Sequence, residues 1–227
     1  MIGRWAFIVV LAGIAAIAAF AQIDRAARDD AALSTLVPAP FRGFAAESRT
    51  RLLVMANQPD AALAEARLLV RHRPMKANNL SLLFAAATVA QRDEEAAAAL
   101  ELAGTRGWRE PIAQLALASA AQNQDLPDLA AMRIVAILAV GQFRDQAMAL
   151  LQRLLATPAG REAFARQLAA EGYWQDRFLR SAIRSYPRET ASDLLVRAEA
   201  QGARFNCRRH AAIEKIAREG GTPQLCR

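Results

Sequence analysis

Three alanine-rich segments recur along the chain at a fixed interval. They begin near Asp60, Glu94 and Asp128, so the interval is 34 residues twice in succession. Each follows a short polar break, which reads NQP, QRDEE or QNQDLPD and interrupts a helical pattern. Two short helices per interval cannot bury their apolar faces alone, so the recurrence predicts an array of stacked αα-hairpins.

The first hairpin is predicted over Glu47 to Ala56 and Asp60 to His72, with Pro74 ending its second helix. One face of that second helix is apolar and is formed by Ala62, Leu63, Ala66, Leu69 and Val70. We therefore expect Ala62 and Leu69 to pack against a neighbouring helix.

The composition points to an all-α fold. Apolar residues make up 54% of the chain, and most of them are alanine and leucine rather than the β-branched and aromatic residues that favour strands. This apolar content is ample for a core, and the chain is therefore expected to be globular.

The second hairpin resembles the tetratricopeptide repeats. Counted from the QRDEE turn, the large and small residues that this family places at its helix contacts are matched by Phe84, Ala85, Ala97 and Gly104. Small residues there let paired helices approach closely. Arg109 stands where the family has a closing proline. The resemblance implies a right-handed solenoid and a surface that binds other proteins.

A third hairpin is predicted from Pro111, and two further helices follow it, broken at Thr157-Pro158. The run from NQDLPDLAA to YWQDRFLRS resembles tetratricopeptide-like proteins associated with proteobacterial exopolysaccharide biosynthesis and export, in which a PAGR turn and a tryptophan before an apolar pair recur. This resemblance implies a role in cell-envelope glycan assembly. It supplies no catalytic residue.

The N-terminus is predicted to enter a membrane. Arg4 precedes an uncharged apolar stretch from Trp5 to Ala21, and a helix continued to Ile23 would span roughly 28 Å. Ala19-Phe20-Ala21 fits a signal-peptidase site before Gln22. The apolar stretch is longer, however, than the apolar core of a signal peptide, which has about 7 to 15 residues. Its length favours an uncleaved anchor over a cleaved signal. In both cases Arg4 stays inside, so the bulk of the chain is expected in the periplasm.

Four regions follow from these signals. Residues 1–23 are the signal anchor or signal peptide, residues 24–44 a linker, residues 45–206 the helical-repeat domain, and residues 207–227 a basic tail. Within the linker, Pro38, Pro40 and Gly43 predict an extended spacer from Ala32 to Phe44.

The two cysteines of the chain, Cys207 and Cys226, lie close together near the C-terminus. A disulfide between them agrees with export and would close the tail. Two alternatives remain: free thiols, or a metal site that adds His210. The metal site would be one ligand short of a structural zinc site.

Positive charge is concentrated towards the C-terminus. From Arg177 onward the chain has eleven basic and five acidic residues, so +6 of the formal net charge of +7 lies there. Arg208, Arg209, Lys215 and Arg218 are predicted to form a basic surface. Export argues against nucleic acid as its partner and leaves anionic glycan, anionic lipid or an acidic protein. A merely solvated surface is the alternative.

Most of the four aromatic residues Trp108, Tyr173, Trp174 and Phe178 are predicted to fill the core between hairpins. The alternative is a stacking platform for sugar rings, because aromatic faces suit them.

The motifs of common enzyme classes are missing from the sequence. Neither a G-x-S-x-G elbow nor a phosphate-binding glycine loop occurs, and Glu94-Glu95 fits the acidic start of a helix. We predict no catalytic, cofactor or metal site. The function expected is that of a membrane-tethered adaptor that binds a protein of an envelope assembly; the alternative is direct binding of anionic glycan or lipid through the basic C-terminal region.

Overall fold

A computed structural model describes residues 2–170, 172–180, 182–208, 210–219 and 225. The described part of the chain is helical and contains no strand. The helices are α1 (Ile2–Ala26), α2 (Phe44–Met55), α3 (Pro59–His72), α4 (Ala77–Val89), α5 (Asp93–Arg106), α6 (Pro111–Asn123), α7 (Pro127–Val140), α8 (Arg144–Leu155), α9 (Pro158–Ala169), α10 (Tyr173–Arg180), α11 (Arg188–Ala200) and α12 (Ala211–Glu219). The all-α prediction is therefore confirmed.

The chain forms two compact units, Met1–Gly107 and Trp108–Arg227. The first contains α1 to α5 and the second α6 to α12. The boundary between the units falls between the second and third hairpins, within the repeat domain predicted over residues 45–206.

Consecutive helices pair as the sequence predicts. In α2–α3, α4–α5 and α6–α7 the second helices begin at Pro59, Asp93 and Pro127, again 34 residues apart. The turns share one conformation, because the backbone φ is positive at Asn57, Gln91 and Asp125. In each turn the next amide donates to a carbonyl five residues back, as Arg92 does to Ala87. The three hairpins are thus copies of one unit.

The predicted linker is folded rather than extended. Residues 24–44 form the end of α1 and two 3-10 turns, Ala31–Thr35 and Ala39–Phe41. Ala27 and Val37 are buried beside Ala45 of α2. The physical reason is a contact that the local sequence does not reveal. The Asp24 carboxylate accepts hydrogen bonds from the amides of Gly43 and Ala45 at the start of α2, so the two ends of the segment lie together.

The residues that are buried between the helices are not all the ones predicted. Ala62, Leu69 and Gly104 are buried. Phe84 and Ala85 are only half-buried, and Ala97 is exposed. Those positions are filled instead by the fully buried Ala86 and Ala87 of α4 and by Ala96, Ala99 and Ala103 of α5. The cause is helical phase, since one residue along a helix turns the side chain by about 100°.

The regular pairing changes after α7. Gly141 and Phe143 both have positive φ and redirect the chain into α8. Helix α9 then packs against α7 and α11, and the core of the second unit forms around the fully buried Phe164 of α9. The predicted break between two helices at Thr157-Pro158 is present between α8 and α9.

The PAGR turn has a structural role at the start of α9. The Thr157 hydroxyl accepts a hydrogen bond from the Gly160 amide at 3.0 Å, which caps the helix. Arg161 donates to the Leu155 carbonyl at 2.9 Å and to Asp193 of α11 at 2.5 Å. The turn therefore links α8, α9 and α11.

The C-terminal region is not a separate tail. Helix α12 lies within what was predicted as the tail of residues 207–227, and its Ile213 and Ile216 join the core of the second unit. Phe205 and Leu225 belong to the same core. The amphipathic pattern of this short helix is what ties the region to the rest of the unit.

Candidate functional site

An apolar groove runs along α7 in the second unit. Helix α7 is apolar on nearly its whole circumference, and Ala130, Ala131, Ile134 and Ile137 face the core. A second row lines the groove and consists of Met132, Val135, Ala136, Ala139 and Val140. A soluble helix normally has polar residues on the side opposite the core. This face of α7 is therefore a partly exposed apolar surface, on which Met132 and Ala139 are exposed and Val135, Ala136 and Val140 are partly buried.

Three aromatic residues line the groove. Trp108 is 56% exposed, and the Arg109 guanidinium lies 4.5 Å from its ring centroid. The first residues of α10, Tyr173 and Trp174, belong to the same lining. Tyr173 is fully exposed, whereas Trp174 is buried edge-on against Phe164 at 5.6 Å.

The expectation that the aromatics fill the core holds for only two of the four. Trp174 and Phe178 are buried, but Trp108 and Tyr173 are not. Exposed tryptophan and tyrosine are enriched at protein interfaces because they offer a large apolar area at a low entropic cost.

The described lining of the groove includes two arginines, Arg109 and Arg133. Arg133 is held in place, since its guanidinium donates to the buried amide oxygen of Gln114 at 3.0 Å. With a volume of about 700 Å³, the groove is large enough for several side chains of a ligand.

The residues predicted from the repeat resemblance do not line this groove. Ala62, Leu69, Phe84, Ala85, Ala97 and Gly104 all belong to the first unit. The signal for the groove is present in the sequence as the spacing of Met132, Val135, Ala139 and Val140. The sequence does not show that this row lines a groove, because the row of α7 that faces the core and the row that faces solvent are both apolar.

The predicted basic surface is partly described. Arg208 and Lys215 are exposed. Arg218 is exposed too, but its guanidinium is paired with Glu214 at 2.5 Å. Arg209 lies outside the described residues. Pairing lowers the net charge that α12 presents to solvent.

Cys207 is disulfide-bonded. The other cysteine of the sequence, Cys226, lies outside the described residues, and the predicted pairing stays a prediction. A disulfide removes Cys207 as a thiolate ligand, and the described part of the chain holds no cluster of three or more histidine, cysteine, aspartate or glutamate side chains placed to bind a metal.

The carboxylates with displaced pKa values belong to surface ion pairs between helices. A hydrogen bond from Arg67 of α3 lowers the pKa of Glu95 of α5. Burial alone would raise the pKa of Asp193, but hydrogen bonds from Arg197 and Arg161 hold it below its ordinary value. These carboxylates are stabilised as anions. Their geometry suits helix packing and offers no general base poised near neutral pH.

Comparison of the chain with protein-family models, with curated protein sequences and with solved structures found no match.

Proposed function

We propose that this chain is an exported, membrane-tethered helical-repeat adaptor that holds a segment of another protein in a cell-envelope assembly. The observation that carries the proposal is the α7 groove, whose lining combines an apolar helix face with the exposed Trp108 and Tyr173. An apolar face flanked by aromatic residues is a common form of docking surface for an amphipathic segment. The resemblance to proteins of exopolysaccharide loci supports glycan assembly as the context.

Arg109 specifies one feature of the occupant. Because its guanidinium lies over the exposed Trp108 ring in the lining of the groove, it complements a segment with an acidic residue beside its apolar ones. The partner is therefore expected to contribute an amphipathic segment whose apolar side chains contact α7 and whose carboxylate approaches Arg109.

The tether is α1. Gly3–Ala26 is long and apolar enough to cross a membrane or to be a signal sequence, and the rest of the protein does not bury its apolar stretch. One contact supports an uncleaved anchor. Phe20 stacks on Phe41 at 5.4 Å between centroids, whereas Asp24, which caps α2, lies beyond the cleavage site and would be kept in either case. Cleavage after Ala21 would interrupt α1 and remove Phe20.

The docking proposal is tested by photocrosslinking in the native cell. A photoreactive phenylalanine replaces Tyr173, and the crosslinked segment is identified by mass spectrometry. We expect one defined adduct whose segment combines apolar and acidic residues, and whose yield falls at least about tenfold with Ala139→Glu, which buries a charge in the groove. Ala97→Glu, at an exposed alanine of α5, is the matched control and should leave the yield unchanged.

Two results would contradict the docking proposal. One is an adduct that Ala139→Glu leaves intact, and the other is a crosslinked segment without acidic residues. The tether is tested separately: we expect the protein to stay in membranes during carbonate extraction, whereas a mature N-terminus at Gln22 would show that α1 is a cleaved signal.

A second candidate function is binding of anionic glycan or lipid by the basic C-terminal region. The exposure of Arg208 and Lys215 favours it. Such binding should weaken steeply between low and high salt, because exposed charges are screened, while docking in the apolar groove should change little.

A further inference from the structure

A second pocket lies in the second unit, apart from the α7 groove. It is lined by the 3-10 turn Ala182–Ser185, the start of α11 and one face of α12, and its volume is about 490 Å³. No residue lines both this pocket and the α7 groove. The pocket is therefore a separate candidate site.

The inner surface of this pocket is apolar. The lining includes Ile183 and Ile216, which belong to the core of the unit, together with Ala191 and Ala212. Tyr186 is half-buried beside them, and burial raises the pKa of its hydroxyl, which therefore stays uncharged at neutral pH. A ligand that enters this pocket meets hydrocarbon and one neutral phenol.

The rim of the pocket is cationic. Arg188 pairs with Glu219 at 2.9 Å, and this pair is neutral as a whole. Arg184 donates to the Arg180 carbonyl at 2.8 Å, a contact that leaves its charge uncompensated. Among the described residues, neither Arg184 nor Lys215 has a carboxylate within 4.0 Å. Two positive charges thus stand over an apolar pocket.

We infer that this pocket binds an anionic amphiphile, a molecule with a phosphate or carboxylate head and a hydrocarbon body. The head lies between Arg184 and Lys215, and the body contacts Ile183 and Ile216. An ion with no apolar part would leave the pocket wall exposed, and a neutral lipid would leave the two cations unpaired. The inference is independent of the adaptor function and narrows the second candidate function to one pocket.

A lipid fits this pocket better than an acidic peptide does, because the apolar side chains of Ile183, Ala191, Ala212 and Ile216 in its lining match a hydrocarbon body. A chain whose α1 is long enough to cross a membrane also meets anionic lipid at high local concentration. The head group can come from a bilayer phospholipid or from a soluble amphiphile, and the chemistry is the same for both.

The test uses the full chain in nanodiscs of zwitterionic phosphatidylcholine, titrated calorimetrically with octyl phosphate and corrected with empty nanodiscs. We expect saturable binding of one octyl phosphate, and much weaker binding of inorganic phosphate and of octyl glucoside. Arg184→Gln and Lys215→Gln should each weaken binding about tenfold, as expected for a lost hydrogen bond to a charged group. Arg208→Gln removes an exposed arginine outside the pocket and should change affinity less than about twofold.

Three outcomes overturn the inference. Equal losses in Lys215→Gln and Arg208→Gln would mean binding by the basic surface as a whole, which preserves the second candidate function but not the pocket. Equal affinity for inorganic phosphate would show an anion site without an apolar part. Displacement by a soluble acidic peptide would make the pocket a protein-docking site. Competition by phosphatidylglycerol in the nanodisc identifies the bilayer as the source, and its absence identifies a soluble amphiphile.

Discussion

At Gly160 a Cβ atom would lie 1.8 Å from the carbonyl oxygen of Leu154, which is backbone and cannot rotate away. Gly160→Ala must therefore displace the end of α8 or the start of α9. We expect a loss of about 3 kcal/mol or more in the free energy of unfolding, at the upper end of the cost of overpacking. Chemical denaturation measures it, with Ala159→Ser, at an exposed neighbouring position, as the control. A melt equal to that of the control would contradict the close approach.

Gln91 occupies the left-handed region with a φ of 55°. The matching turn residues of the other two hairpins, Asn57 and Asp125, have φ values of 51° and 54°. Glycine adopts this conformation without the steric cost that a side chain carries. We expect Gln91→Gly to stabilise the first unit by about 0.5 to 1 kcal/mol. Arg92→Gly, one residue later at a φ of −102°, should instead destabilise it. Thermal melts that rank the two variants in the reverse order would contradict the shared turn.

At the scale of a helix, Ala96 and Ala97 provide a test of the phase of α5. Ala96 is buried against Leu63 and Ala87, whereas Ala97 is exposed. We expect Ala96→Trp to cost about 1 to 3 kcal/mol because an indole cannot fit between the helices. Ala97→Trp should be nearly neutral. Equal thermal melts for the two variants would show that the hairpin packs through a different face.

Between α9 and α11, Asp193 accepts hydrogen bonds from Arg161 and Arg197. Its pKa is lowered, so the stabilisation is present above the unfolded pKa and is lost as the pH falls through the folded value, below about 4. Asp193→Asn should cost about 0.5 to 1 kcal/mol at pH 7, a small figure because the pair is partly solvated. The difference from the wild type should vanish in acid. A difference that is constant with pH would contradict the ion pair.

At the scale of the whole molecule, the disulfide of Cys207 acts on the second unit rather than on a free tail. Cys207 packs against the core that also contains Phe205, Ile213 and Leu225. The predicted bridge to Cys226 would close a loop of about 20 residues, which stabilises a fold by up to about 3 kcal/mol. Reduction should therefore lower the melting temperature of the second unit and loosen α12. Cys207→Ser should reproduce the melt of the reduced protein, and an unchanged melt on reduction would show that the C-terminal region packs without the bridge.

The sequence by itself determined the helices of the first three hairpins and their spacing. Helix starts and turns depend on local signals, such as the prolines at positions 59, 111 and 127 and the polar breaks before the second helices, and all of these lie where the pattern predicts. The length and hydropathy of α1 are also local properties. For these features the neighbouring residues supply the physical information.

The tertiary structure alone decided which residues are inside. Runs such as Ala85 to Ala87 and Ala96 to Ala99 offer an alanine at almost every phase, so composition cannot select the buried face. The linker folds because Asp24 meets amides 19 to 21 residues away, a contact between distant parts of the chain. The α7 groove exists because no described helix covers that apolar row, and exposure depends on where other elements pack rather than on the sequence of α7.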